Sequence, residues 1–97
     1  MDFKKIYYGA PYKIGFLTVI YYKKIKTKNL NLGITVSKKV GNAVVRNRVR
    51  RIILAAYKEF EKTKKLEGFS LVIVARKNSV DKKMWDILKE LKKNLNF

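Results

Sequence analysis

Four arginines fall within six residues, Arg46, Arg48, Arg50 and Arg51, with Asn47 among them and Lys38 and Lys39 just upstream. Guanidinium is a planar fork of donors that meets phosphate oxygens two at a time, whereas lysine is a hydrated point charge found over most soluble surfaces. Arginine concentrated in one place therefore points to phosphate recognition. Covalent chemistry has few candidates. Histidine and cysteine are absent, which excludes disulfides, thiolate nucleophiles, Cys/His zinc sites and imidazole acid–base catalysis. The carboxylates are Asp2, Glu59, Glu61, Glu67, Asp81, Asp86 and Glu90. No pairing among them suggests a two-metal cluster, so a self-sufficient metal-dependent nuclease is the weakest reading.

The overall charge agrees. Lysine and arginine number 24 against 7 acids, a net +17 over 97 residues. The imbalance is uneven: residues 1–58 hold 14 basic residues and one acid, residues 59–97 hold 10 and 6. Self-repulsion on this scale opposes a compact state unless a polyanion supplies counter-charge. A hydrophobic content of 47% with a single proline argues against a disordered basic tail. The length suits one domain over residues 1–97. The longest uncharged apolar stretch, Ile14 to Tyr22, is far short of the roughly 20 residues a membrane helix needs. It also lacks the features of a secretory signal, so a cytoplasmic protein is expected.

These side chains need a scaffold, and the hydrophobic pattern outlines one. Phe3, Ile6 and Tyr7 share a helical face over residues 2–8, stopped at Gly9, and Gly9-Ala10-Pro11 reads as a turn. Phe16 to Tyr22 reads as a strand and Lys23 to Asn31 as a basic loop, so the next strand should run antiparallel to the first. In Leu32 to Ser37 the pattern alternates: Leu32, Ile34 and Val36 share one face, Gly33, Thr35 and Ser37 the other. The second face has no bulk, so it is either open to solvent or closely approached. Asn42 is a good N-cap for a helix running to about Lys62. Lys64 to Gly68 is a loop, and Phe69 to Arg76 has the continuous apolar run of a strand buried on both faces. A last helix, capped by Ser79 or Asp81, carries Met84, Leu88, Leu91 and Leu95 on one face, with Trp85 and Ile87 flanking. The expected fold is α+β, a single mixed sheet with helices packed on it, in the order α-β-β-α-β-α.

At about 100° per residue, Val45, Val49, Ile52, Ile53, Ala56 and Phe60 form the apolar stripe of the basic helix. Arg46 stacks with Arg50 and Asn47 with Arg51 at i, i+4 on the other side, with Arg48 at the far edge. Arginines near a helix N-terminus oppose the macrodipole and repel one another, each effect costing a few tenths to about 1 kcal/mol. Bound phosphate relieves both, and the free N–H groups of the first turn favour it further. The Asn47 amide has two uses, a bond to a base edge or 2′-hydroxyl, or orientation of neighbouring arginines. A merely solvated helix face is the competing explanation, and the one-sidedness of the charge speaks against it.

The run Lys38-Lys39-Val40-Gly41-Asn42-Ala43-Val44-Val45-Arg46-Asn47-Arg48-Val49-Arg50-Arg51 closely resembles the signature of the protein subunit of bacterial ribonuclease P, whose hallmark is Arg-Asn-Arg. Asp2-Phe3 and Tyr7 look like the end of that family's first helix, Leu32 to Ser37 like its central strand, and Phe69 to Arg76 like its strand ending in Ala-Arg. The resemblance therefore spans nearly the whole chain in the family's order. Leu54 departs from it, standing on the outward arc where members often carry another arginine.

The resemblance implies a fold with a left-handed β-α-β crossover, shared with a ribosomal protein domain. It implies a ribonucleoprotein in which a large RNA, with divalent metal (Mg2+) held mainly by that RNA, hydrolyses the phosphodiester joining the 5′ leader to tRNA. Lys38, Lys39, Arg46, Asn47, Arg48, Arg50 and Arg51 would face RNA. Phe3, Tyr7, Phe16, Thr35, Ser37 and Arg76 would line a cleft for the leader. The implied partners are the catalytic RNA subunit and precursor tRNA, with no membrane or protein partner, and the subunit alone would be non-catalytic. The competing reading is a general basic RNA-binding protein of ribosomal type, which needs no open groove.

Overall fold

The computed structural model describes residues 12–26, 31–64 and 68–95. The helix expected over residues 2–8, with Phe3 and Tyr7, and the Gly9-Ala10-Pro11 turn lie outside them. Strands β1 (Tyr12–Ile14), β2 (Thr18–Lys24) and β3 (Asn31–Thr35) precede helix α1 (Ala43–Thr63). Strand β4 (Phe69–Ala75), a 3-10 turn at Lys77–Ser79 and helix α2 (Met84–Asn94) follow. The four strands form one mixed sheet in the order β1-β2-β4-β3. β1 and β4 flank β2 antiparallel, and β3 lies parallel to β4.

The α+β class and the single mixed sheet are as expected. From residue 12 onward the elements run β-β-β-α-β-α where the expected order has β-β-α-β-α after its first helix, because a three-residue strand, β1, precedes the first expected one. The expected strand Phe16 to Tyr22 is also displaced. Gly15 N–H donates to Thr18 C=O at 2.8 Å, so Phe16 sits in the tight turn between β1 and β2. At the other end, β2 pairs with β4 along its full length and draws Lys23 and Lys24 into the ladder despite their charge. β3 ends at Thr35; Ser37 C=O accepts from Val40 N–H at 3.0 Å and begins a turn. β3 does run antiparallel to β2, but β4 lies between them.

Register assigns the two sheet faces. Ile20, Ile73 and Ile34 stand in one cross-strand row, and Tyr22, Leu71 and Leu32 in the next. This face packs on Val49, Ile53, Ala56 and Phe60 of α1 and on Ile87, Leu88 and Leu91 of α2. A fully buried aliphatic side chain contributes about 1.5–3 kcal/mol, and β4, at the centre, buries Leu71, Val72, Ile73 and Ala75. The α1 stripe is as the spacing predicts, with Val45 and Ile52 half-buried against the core. The α2 stripe also holds, with Ile87 fully buried and Trp85 exposed.

The start of α2 differs from expectation. Its N-cap is Lys83, whose N–H donates to the Asp86 carboxylate at 3.0 Å. Ser79 and Asp81 are committed elsewhere. The Ser79 hydroxyl donates to Arg76 C=O at 2.6 Å, and Asp81 adopts a left-handed backbone, φ 67°.

Tyr57 is a core residue that the periodicity did not select. It follows Ile53 by four residues, about 40° further round the helix, yet is 2% exposed and packs on Phe60 with ring centroids 5.9 Å apart. Its hydroxyl has no hydrogen-bond partner among the described residues. Burial, helped by the nearby Glu61 charge, pushes its pKa from 10.0 up to about 12. The unfolded chain loses this proton first, so the contribution is intact below pH 10 and lost as pH rises to about 12. The loss is about 2–3 kcal/mol. Tyr57→Phe should therefore melt with a smaller drop between pH 9 and pH 12 than the parent chain, as followed by circular dichroism.

Candidate nucleic-acid interface

The basic surface is positioned by the start of α1. The Asn42 side-chain carbonyl accepts from Val45 N–H at 3.0 Å, and Asn42 C=O accepts from Arg46 N–H at 2.9 Å. An N-cap of this kind contributes about 1 kcal/mol and fixes where the first arginine emerges. Gly41 is required by close approach: a Cβ there would stand 2.9 Å from Val45 Cγ1. The turn through Lys38, Lys39 and Val40 buries Val40 while leaving both lysines exposed.

Arg48, Arg50, Arg51 and Asn47 are exposed, and Arg46 is half-buried at the edge of the apolar stripe. No acid stands in the first turn of α1. Among the described residues none of the four guanidinium groups pairs with a carboxylate; the ion pair on this helix is Lys62 with Glu59, at 2.7 Å near its far end. The Asn47 amide makes no hydrogen bond to a neighbouring arginine among the described residues. That leaves it available to an external partner. The structure thus brings Lys38, Lys39, Arg46, Asn47, Arg48, Arg50 and Arg51 onto one turn and the helix it starts. Leu54 stands on the outward arc, 37% exposed, and the arginines end before it.

The second candidate surface is the sheet face opposite the helices. Tyr12, Tyr21, Val72 and Gly33 form one cross-strand row, and Ile14, Val19, Val74 and Thr35 the next. Gly33 and Thr35 are half-buried and Ser37, past the end of β3, is exposed. Tyr12 and Tyr21, with rings 5.6 Å apart, add an aromatic pair that the sequence reading missed. β1 is too short to show alternation, and only the cross-strand pairing puts Tyr12 beside Tyr21.

Arg76 and Phe16 gather at the end of the sheet where β3 and β4 finish. Arg76 Nη1 donates to Gly15 C=O at 2.7 Å, and its N–H donates to Leu17 C=O at 2.9 Å. Asn78 Nδ2 donates to Phe16 C=O at 3.1 Å. Arg76 thus pins the β1–β2 turn while its side chain stays exposed. Glu90 of α2 holds the same turn from the helix side, accepting from Leu17 N–H at 2.9 Å and from the Thr18 hydroxyl at 2.8 Å. Phe16 lines a pocket against α2, on the helix side of the sheet, whereas Thr35 is on the opposite face.

Among the described residues no three carboxylates come together as a metal cage. Asp86 and Glu90 are both engaged with N–H or O–H donors. No helix is long and apolar enough to cross a membrane among those residues.

Comparison with known proteins places this geometry. The family model described as Ribonuclease P matches residues 1–96. The ribonuclease P protein component of Clostridioides difficile is 44% identical over 92 residues, covering 94% of this chain and 80% of that protein. The structure of the Staphylococcus aureus RNase P protein superposes with a TM-score of 0.80 at 30% identity, covering 97% of this chain and 85% of that one. The Thermotoga maritima RNase P protein gives the same TM-score at 23% identity over 95% of this chain and 86% of its own, a likeness of fold. With its unpaired arginines at the start of α1 and a mixed sheet behind them, the chain belongs to the bacterial ribonuclease P protein family.

Proposed function

We propose that this chain is the protein subunit of a ribonucleoprotein endonuclease that removes the 5′ leader from precursor tRNA. The observation that carries the reading is the set of four arginines on α1 that no carboxylate neutralises among the described residues, in a chain matched by the family over residues 1–96. Arg46, Arg48, Arg50 and Arg51, with Lys38 and Lys39, grip phosphates of the catalytic RNA. Asn47 donates to a base edge or 2′-hydroxyl. The sheet face opposite the helices takes the leader: the small side chains of Thr35 and Ser37 and the bare backbone of Gly33 give a strand a close approach, and Phe3 and Tyr7 supply stacking surface. Arg76 holds the end of that face and offers its remaining donors to phosphate.

Magnesium belongs mainly to the RNA, whose phosphates supply the oxygen ligands it favours. The protein contributes binding and position. By neutralising phosphate repulsion between leader and catalytic RNA, it lowers the metal concentration that assembly requires. The RNA-free chain is non-catalytic, and its place of action is the cytoplasm, with its RNA partners.

Reconstitution tests this. Purified chain added to the host's catalytic RNA should restore 5′-leader removal at a magnesium concentration where the RNA alone is inactive, and RNA-free chain should leave the substrate intact. No stimulation of the RNA would favour a general RNA-binding protein instead. Cleavage by the RNA-free chain would overturn the assignment of chemistry to the RNA.

A further inference from the structure

The outer face of α2 has no part in the surfaces described so far, yet it carries an exposed indole and much unpaired charge. Trp85 is 65% exposed and Phe16, in the β1–β2 turn, 67%. Phe16 lines a pocket of about 390 Å³ with Leu17, Lys82, Asp86, Lys89, Glu90 and Lys93, within the size range of small-ligand clefts. Trp85 lines a smaller one of about 230 Å³ with Leu88, Lys89 and Lys92. Lys89 borders both, so the two aromatic rings flank one lysine on a continuous surface.

The carboxylates there are turned to the protein. Asp86 accepts from Lys83 N–H, and Glu90 from Leu17 N–H and the Thr18 hydroxyl. Asp86 and Lys89, and Glu90 and Lys93, have the spacing at which helical ion pairs form, but neither pair forms. Lys92 and Lys93 complement the C-terminal end of the helix dipole; that accounts for neither Lys82 and Lys89 nor the two rings. An interface with a second copy is disfavoured by four unpaired lysines, a residue depleted at protein interfaces. A membrane surface is disfavoured because the apolar stripe of α2 is already buried in the core. Exposed rings alternating with cations are instead the pattern that holds single-stranded nucleic acid, bases on the rings and phosphates on the charges.

We propose that the outer face of α2, together with Phe16, is a second RNA-contact surface, on which unpaired bases stack on Phe16 and Trp85 while Lys82, Lys89, Lys92 and Lys93 hold the flanking phosphates. It depends on neither the α1 arginines nor the sheet face opposite the helices.

Trp85 is the sole tryptophan, so its emission reports this surface directly. Titrating the full chain with a single-stranded uridine dodecamer should quench it saturably. Phe16→Ala and Lys89→Ala should each raise the midpoint about tenfold, the scale of one lost stacking or charge contact. Neither residue is buried, so both variants should fold. Inorganic polyphosphate, which has charge but no bases, should not quench. Quenching should persist when Arg46, Arg48, Arg50 and Arg51 are all alanine; its loss there would mean that α1 alone grips the RNA. The proposal is also overturned if the dodecamer binds, by anisotropy, without quenching. Equal quenching by polyphosphate or anionic lipid vesicles, or quenching that follows protein concentration alone, would likewise overturn it. None of these outcomes bears on leader removal by the reconstituted enzyme, which reads the proposed function separately.

Discussion

Replacing Arg46, Arg48, Arg50 and Arg51 together with alanine is expected to weaken binding to the catalytic RNA by about three orders of magnitude. Each charge-assisted contact to phosphate contributes on the order of 1.5–3 kcal/mol, less where solvent reaches it. Even about 1 kcal/mol for each of the four amounts to a factor near a thousand. The salt dependence should change as well. Each phosphate contact releases counterions and steepens the log–log slope by about 0.7 to 0.9, so the variant's slope should be shallower by about 3. Stability should move the other way. Three of these arginines are exposed and all oppose the α1 dipole without acidic relief, while alanine is the better helix former. The melting temperature should hold or rise. Filter binding across a salt series, beside a thermal melt, checks both; an unchanged slope would show that the arginines do not contact phosphate.

Adding bulk to the sheet face opposite the helices should separate two kinds of tRNA. Gly33 lies on β3 in one row with Val72, Tyr21 and Tyr12, and valine suits a strand better than glycine. Gly33→Val should therefore place two methyl groups on the face proposed for the leader, with a thermal melt to confirm that the variant folds. Affinity for leader-bearing tRNA should fall about tenfold, the scale of one lost stacked base, with affinity for mature tRNA unchanged. Phe3→Ala and Tyr7→Ala should show the same selectivity. Equal losses for both tRNAs, measured by competition binding to the holoenzyme, would show instead that these side chains serve core packing.

The legible parts of the fold are those written in local sequence. α1 was readable almost to the residue, because Asn42 caps it and Val49, Ile53, Ala56 and Phe60 repeat at helical spacing. β4 was readable from its unbroken apolar run. What escaped depends on distant partners. β1 exists because Tyr12–Ile14 pairs with Val19–Tyr21, and three residues carry no periodicity. Lys23 and Lys24 look like loop until β4 supplies their ladder. The insertion of β4 between β2 and β3 leaves no local trace.

The same division holds at the site. The arginine face follows from helical geometry alone. Gly33 and Thr35 follow from alternation. Phe16 enters the cleft only through the family resemblance, and its placement against α2 depends on Glu90, more than seventy residues away, binding the turn that holds it. Gly15 fits that turn because a side chain there would collide with the Glu90 carboxylate. Tyr57 was missed because its azimuth lies near the basic arc, and only the packing of the whole domain buries it.

Site-directed crosslinking to the catalytic RNA tests the central claim most directly. Asn47 and Lys58 are both exposed on the same outward arc of α1, about 16 Å apart along the axis. A benzoylphenylalanine at position 47 should crosslink strongly in the reconstituted holoenzyme, and one at position 58 should give little above background. Equal yields from the two positions, or a stronger yield from 58, would contradict an RNA grip built on the arginines at the start of the helix.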